Sequence, residues 1–259
     1  MGKIIAVHSY KGGTGKTLLS LNLAAIFAKN GKKVGIFDLD FRAPSLFDIL
    51  MPEKPGFWLN DYLNNTAEIK QVLVDLSNRI SGNGKFYAGF ANPATEAIRD
   101  MSYKNRKWEI RALGRLLSLR KMLIDDQKFD YLFFDTSPGL QYSSINAIVA
   151  ADFVIVATTG DRSDVDGTKR MLKELYNLIE KKSGLVLNKV LDLADAAERA
   201  EISAKMKAAY QVPILRLVPC FCEVLRAEGS VIFVHDKPDN PFTKILEEMA
   251  IKIENNDVN

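Results

Sequence analysis

Residues 10–17 read Tyr10-Lys11-Gly12-Gly13-Thr14-Gly15-Lys16-Thr17. The apolar run before it, residues 4–8, reads as a buried strand. The stretch after it, residues 17–29, reads as a helix that stops at Asn30-Gly31. Glycines between a strand and a helix let the backbone fold tightly and turn its N–H groups toward an anion. The helix N-terminus adds the positive end of its dipole. In such a loop Lys16 reaches the β- and γ-phosphates of a nucleotide, and the Thr17 hydroxyl ligates Mg²⁺. A ligand-free tight turn would use the same glycines. The Gly15-Lys16-Thr17 ending in strand–loop–helix context decides for the phosphate loop.

The rest of the chain repeats this alternation. Short apolar runs at 33–38, 85–88, 131–135, 153–158, 185–188 and 214–218 read as strands. Between them, residues 108–124, 165–179, 193–209 and 241–254 carry helical patterning, while 51–100 is the least regular stretch. Strands apolar on both faces, alternating with helices, predict an α/β fold: a mostly parallel sheet covered by helices on both faces. No linker interrupts the chain, so residues 1–259 are expected to form a single P-loop NTPase domain. Ligands of such sheets bind at the carboxyl ends of strands. The polar residues there, beyond the phosphate loop itself, are Asp38, Asp40, Asp135 and Asn188.

Bulk properties narrow the classes. The 259 residues are 47% hydrophobic and 26% charged, as in ordinary globular proteins. A net charge of +3 is too weak to argue for nucleic acid. Cys220 and Cys222 are too close in sequence to suggest a disulfide framework. No apolar run reaches the ~18 residues of a membrane span, so the expected compartment is a reducing cytoplasm.

The run Lys11-Gly12-Gly13-Thr14-Gly15-Lys16-Thr17 resembles the deviant Walker A motif of the MinD/ParA ATPases. The resemblance continues in order. Asp38-Leu39-Asp40 with Pro44 looks like the family's first switch, and Asp135-Thr136-Ser137-Pro138-Gly139 like its Walker B and second switch. Residues 152–156 look like the following strand, and Val218-Pro219 like the nucleotide-base loop. The match runs from about residue 4 to 245 and is weakest between 51 and 108. Two departures stand out: Leu18 replaces a frequent second threonine, and Cys220-Phe221-Cys222-Glu223 replaces an often acidic base loop.

The resemblance implies an Mg²⁺-dependent ATPase that binds ATP and ADP, forms a homodimer in the ATP state and positions a cellular cargo. It implies catalytic roles for Lys11, Lys16 and Asp40, with Lys11 reaching the partner's phosphates and Asp40 orienting water. Nucleotide contacts are expected from Gly12, Gly13, Thr14, Gly15, Lys16, Thr17, Leu18, Asn188 and Pro219, and metal contacts from Thr17, Asp38 and Asp135. Each carboxylate also has a plainer reading as a turn or helix cap, and Asn188 as a turn former. Two competing functions remain. A metal-centre or iron–sulfur assembly ATPase has Cys220 and Cys222 as its only hint, since two cysteines per chain need a symmetric dimer to make four ligands. A nucleotide-gated binding module without turnover has no use for Lys11 and Asp40.

Weaker signals concern partners. Lys104, Lys107, Arg111 and Arg115 recur at helical spacing, with Arg106, Arg120 and Lys121 nearby. Ile110, Leu113, Leu117 and Ile124 are expected to form the opposing apolar stripe. Such a basic stripe could meet non-specific DNA phosphates or an acidic partner; a solvated face is the plainer reading. His8 is expected to be packed rather than catalytic. The acidic, polar tail at 247–257 argues against an amphipathic membrane anchor.

Overall fold

The structure, a computed structural model, describes residues 2–50, 53–191, 196–227 and 231–255. The start of the irregular stretch (51–52), the start of the helix expected at 193–209 and the tail at 256–257 lie outside the described residues.

Eight strands form one sheet: β1 (Lys3–His8), β2 (Lys33–Leu39), β3 (Val74–Asp75), β4 (Lys85–Gly89), β5 (Tyr131–Thr136), β6 (Phe153–Thr158), β7 (Ser183–Val190) and β8 (Ile214–Pro219). Their order is β3-β4-β2-β5-β1-β6-β7-β8. Every pairing is parallel except β3 with β4. The order explains the sequence pattern. β1 lies between β5 and β6, so both of its faces are covered: Ile5 and Val7 join one core, Ile4 and Ala6 the other.

Helix α1 (Lys16–Lys29) packs on the first face with the C-terminal helices Phe233–Asp236 and Pro241–Glu254. Its residues 19–28 are all buried, which is why it lacks an amphipathic period. The opposite face carries α2 (Arg106–Leu119), α3 (Tyr142–Ala150) and α4 (Arg162–Met171). Both long helices expected on this face change pitch. A π-helical segment at Arg120–Asp126 follows α2, and another at Leu172–Tyr176 follows α4. No helix among the described residues is long and apolar enough to cross a membrane.

One expectation is corrected here. The buried stripe of α2 is Trp108, Ala112, Leu116 and Leu119, continued by Leu123 and by Ile124, which is buried as expected. Ile110 and Leu117 point to solvent, 64% and 49% exposed. Both rows have helical spacing; the packing partners chose the one with tryptophan. The basic stripe is also thinner than expected. Arg115 donates to the Tyr62 and Ala67 carbonyls and to Asn65, with its guanidinium 4.0 Å from the centre of the Tyr62 ring. Arg120 pairs with Asp152, and Lys104 with Asp100.

Candidate functional site

The loop from Ser9 to Gly15 leaves the carboxyl end of β1 and enters α1 directly. Two of its glycines are required by the backbone: Gly13 and Gly15 have φ of 76° and 93°. Gly15 is also a close approach, because a Cβ there would stand 2.5 Å from Asn188 Nδ2. Asn188, at the end of β7, donates from Nδ2 to the Thr14 carbonyl at 2.8 Å. Its Oδ1 accepts from Lys189 N. One donor and one acceptor of its amide thus hold the loop and the strand end. Lys189, in the left-handed region at φ 57°, donates from Nζ to the Gly13 carbonyl at 2.8 Å. β7 therefore ties the loop from outside at two carbonyls.

Beneath the loop lies a cavity of about 480 Å³ lined by Gly12, Gly13, Gly15, Lys16, Thr17, Leu18, Asp40 and Ser137. Lys16 is 7% exposed. Burial pulls its pKa down, offset in part by Asp135, Asp40 and Asp164. The register Asp38↔Asp135 sets two carboxylates side by side on β2 and β5. Both are almost fully buried. Asp135 is pushed up to about 6, chiefly by burial; the Thr17 hydroxyl and Lys16 pull it back down. Asp38 is pushed well above the usual carboxylate range by burial and then by Asp135.

The two acids differ in partners. Asp38 accepts from the Asp40, Ser45 and Leu46 amides, at 3.0, 3.1 and 3.2 Å, and so ties down the turn after β2. Neither oxygen of Asp135 has a hydrogen-bond partner at good geometry among the described residues. A buried carboxylate left this way beside a threonine hydroxyl is costly unless a cation meets it. That donor set, one orphaned carboxylate plus Thr17, suits Mg²⁺, which takes one or two protein oxygens and keeps water. Asp40 accepts from the Ser137 hydroxyl at 2.9 Å and from the Arg42 and Ala43 amides.

The loop after β5 is clamped to β1. Gly139, at φ 75°, donates its N–H to the Ser9 carbonyl at 2.8 Å and accepts from His8 Nε2 at 2.8 Å. The carbonyl can only accept, so Nε2 carries the proton and Nδ1 accepts from the Tyr176 hydroxyl at 2.8 Å. Burial depresses the His8 pKa to about 4, with Lys16 adding to the fall, so the ring is neutral near pH 7. His8 is packed, as expected, but it is also the clasp between the two loops.

Lys11 lies outside the phosphate cavity. It pairs with Asp161 at 3.0 Å and with the Ser163 hydroxyl at the start of α4. Ser163 and then Lys11 hold the Asp161 carboxyl well below the usual range. Lys11 also lines a second cavity of about 670 Å³ with Thr14, Asp164 and Leu191. The fold does not bring Pro219 to the phosphate cavity; it lines a separate hollow with Arg216 and Lys252. Cys220 is half-buried and Cys222 exposed, and no group of three metal-ligating side chains occurs among the described residues. Sequence reading had His8 packed but not its bond to Gly139, and it passed over Lys189 on Gly13 and Asp161 with Ser163 on Lys11. Of these, only the lysine following Asn188 had a local signal.

Comparison with known proteins agrees with this geometry. A family model described as an AAA domain matches residues 2–193. The chain is 27% identical over 255 residues to an uncharacterized ATP-binding protein of Methanocaldococcus jannaschii, covering 98% of this chain and 88% of that one. Its fold superposes on the cell-division ATPase MinD of Pyrococcus furiosus with a TM-score of 0.77 at 24% identity, covering 98% and 99% of the two chains. The septum site-determining protein MinD of Pyrococcus horikoshii, complexed with Mg-ADP, gives a TM-score of 0.75 at 22% identity, covering 98% of this chain and 96% of that one. With the loop, the paired aspartates and the sheet order in place, the chain belongs to the AAA-domain family, and its fold is that of the MinD-type P-loop ATPases.

Proposed function

We propose that this chain is an Mg²⁺-dependent ATPase that cycles between a monomer and an ATP-bound homodimer and uses that switch to position a cargo. The observation that carries the reading is Asp135: a buried carboxylate with no well-aligned hydrogen bond among the described residues, beside Thr17 and Lys16, which line the cavity beneath the phosphate loop. The Mg-ADP complex of the related Pyrococcus horikoshii MinD supports the choice of nucleotide and metal. Bound Mg²⁺ would supply positive charge to the β- and γ-phosphate oxygens.

The protein groups divide the remaining work. Gly12, Gly13, Thr14 and Gly15 present backbone amides to the phosphates, and Lys16 supplies the fixed countercharge. Thr17 and Asp135 hold the metal shell. Asp38, tied to the Asp40, Ser45 and Leu46 amides, keeps the turn after β2 in place. Asp40, braced by Ser137, lines the same cavity and orients the attacking water. Lys11 leaves Asp161 and Ser163 when a partner's phosphates attract it, which makes hydrolysis depend on dimerisation. Leu18 lines the cavity wall. Asn188 acts on the nucleotide through Thr14, by holding the loop. The compartment that fits this cycle is the cytoplasm.

The test is phosphate release with ATP, with and without Mg²⁺, beside light scattering with a slowly hydrolysed ATP analogue. Mg²⁺-dependent release together with analogue-dependent dimerisation supports the switch. Tight nucleotide binding without release makes the chain a gated binding module. An Asp40→Ala variant held in the ATP state is the bait for cargo and activator.

A further inference from the structure

The outer face of α2 carries a row that the fold does not use. Lys107, Ile110, Gly114 and Leu117 recur at alternating intervals of three and four residues and are all exposed. That is the seam spacing of a helix that packs against another helix. Ile110 and Leu117 are 64% and 49% exposed, and the space above Gly114 is open: a Cβ there would meet nothing within 4 Å. Two aliphatic ridges with a hole between them are a receptacle for a facing side chain. Arg106 and Arg111 flank the row. Arg106, Lys107 and Arg111 form no ion pair among the described residues, unlike Lys104 and Arg120. The one acid of the helix, Glu109, is half-buried and accepts from Asn146 on α3.

We propose that this face of α2 docks an amphipathic helix whose apolar seam is flanked by aspartates or glutamates. Charge and shape together select that occupant. A second copy of this face would double its positive charge and bring no acid to meet it, since Glu109 is held by Asn146. DNA phosphates would satisfy the cations and leave Ile110 and Leu117 with nothing to bury them. An anionic lipid surface would take both, but it has no use for a three–four spacing with a hole at Gly114. An acidic helix fills the hole with one side chain, covers both aliphatics and pairs all three cations. The face lies beyond the ATPase cycle proposed above and exists whether or not the chain hydrolyses ATP.

The probe is a synthetic three-heptad helical peptide with leucine at the seam and glutamate on both flanks. It is titrated against the full chain by fluorescence anisotropy. Three variants of the chain accompany it: Ile110→Ser with Leu117→Ser, Gly114→Leu, and Arg106→Glu with Lys107→Glu and Arg111→Glu. All alter exposed positions outside the nucleotide site, so an unchanged circular dichroism spectrum and urea-unfolding midpoint serve as the folding control. The wild type should bind the peptide, and each variant should bind about tenfold more weakly. A peptide with lysine flanks should bind the charge-reversed variant and not the wild type. Comparison arms use vesicles of mixed phosphatidylglycerol and phosphatidylcholine, and a short DNA duplex. No peptide binding, or binding that the three variants leave unchanged, overturns the proposal. So does a variant-sensitive affinity for vesicles or duplex that exceeds the affinity for the peptide.

Discussion

Replacing Asp135 by asparagine should make the nucleotide-free protein more stable and the nucleotide-bound protein less so. Asp135 is 1% exposed and its carboxyl is pushed from 3.8 to about 6, mainly by burial. At pH values between these two, the folded chain holds a proton that the unfolded chain has released. Stability of the wild type therefore falls as pH rises from about 4 to about 6, and then levels off. Two pKa units at about 1.4 kcal/mol each set the upper bound near 3 kcal/mol. The asparagine amide remains a buried polar group, which costs part of that gain. The expected net stabilisation is about 1–2 kcal/mol at pH 7.5; near pH 4, where the carboxyl is protonated and only the amide's burial cost remains, it should turn into a destabilisation of about 1–2 kcal/mol. Urea unfolding in EDTA without nucleotide, across pH 4 to 8, reads it directly. Addition of Mg²⁺ and ATP should reverse the ranking, because only the wild type gains the metal contact. A variant less stable than wild type at pH 7.5, or a gain that does not change with pH, would refute the orphaned-carboxylate reasoning. Asp135 would then be a structural cap.

Lys16→Ala should abolish nucleotide binding, measured by equilibrium titration with a fluorescent ATP analogue; wild-type affinity would remove the phosphate-loop reading. Asp40→Ala should keep ATP binding, lower turnover at least a hundredfold and trap a dimer in light scattering; unchanged turnover leaves Asp40 as a brace for Ser137. Lys11→Ala should retain monomeric ATP binding and lose both dimerisation and hydrolysis, whereas Asp161→Asn, which removes the charge holding Lys11 and keeps an oxygen for the Ser163 and Asp164 amides, should dimerise at lower ATP; normal hydrolysis by Lys11→Ala makes it a solvated lysine. Gly15→Ala forces a Cβ to within 2.5 Å of Asn188 Nδ2 at φ 93°, so it should weaken nucleotide binding at least tenfold. Asn188→Ala in the same chain relieves the contact but also removes the tie to the Thr14 carbonyl, so it should not restore full binding.

Much of the fold could be read because parallel strands buried on both faces leave apolar runs that a short window detects. Each of the seven parallel strands corresponds to such a run, while β3, two residues on the edge at Val74–Asp75, leaves no such run. The short helices at 46–72 escaped notice for the same reason: single turns hold no period. α2 shows the limit of periodicity. Ile110–Leu117 and Trp108–Ala112–Leu116 both repeat at helical spacing, so the pattern announces a helix without saying which side faces the sheet. Arg115 looked like one more surface cation, and only the packing of Tyr62 beneath it reveals a side chain with its donors committed.

The amino-acid sequence alone determined the phosphate loop, because an anion cradle of glycines, lysine and threonine is made from adjacent residues and its chemistry is local. It also determined that Asp38, Asp40 and Asp135 end strands, and hence that they gather at the carboxyl end of the sheet. Only the tertiary structure decided what each of them does with its oxygens. Asp38 meets backbone amides, Asp40 meets Ser137, and Asp135 lies beside Thr17 and Lys16 with no well-aligned hydrogen bond among the described residues, although all three are aspartates at strand ends. It decided as well that Lys11 rests on Asp161, 150 residues away, and that His8 clasps Gly139, 131 residues away. Such contacts depend on strand order and register. Those are settled by the competition of whole faces for burial, a global quantity that no short stretch of sequence contains.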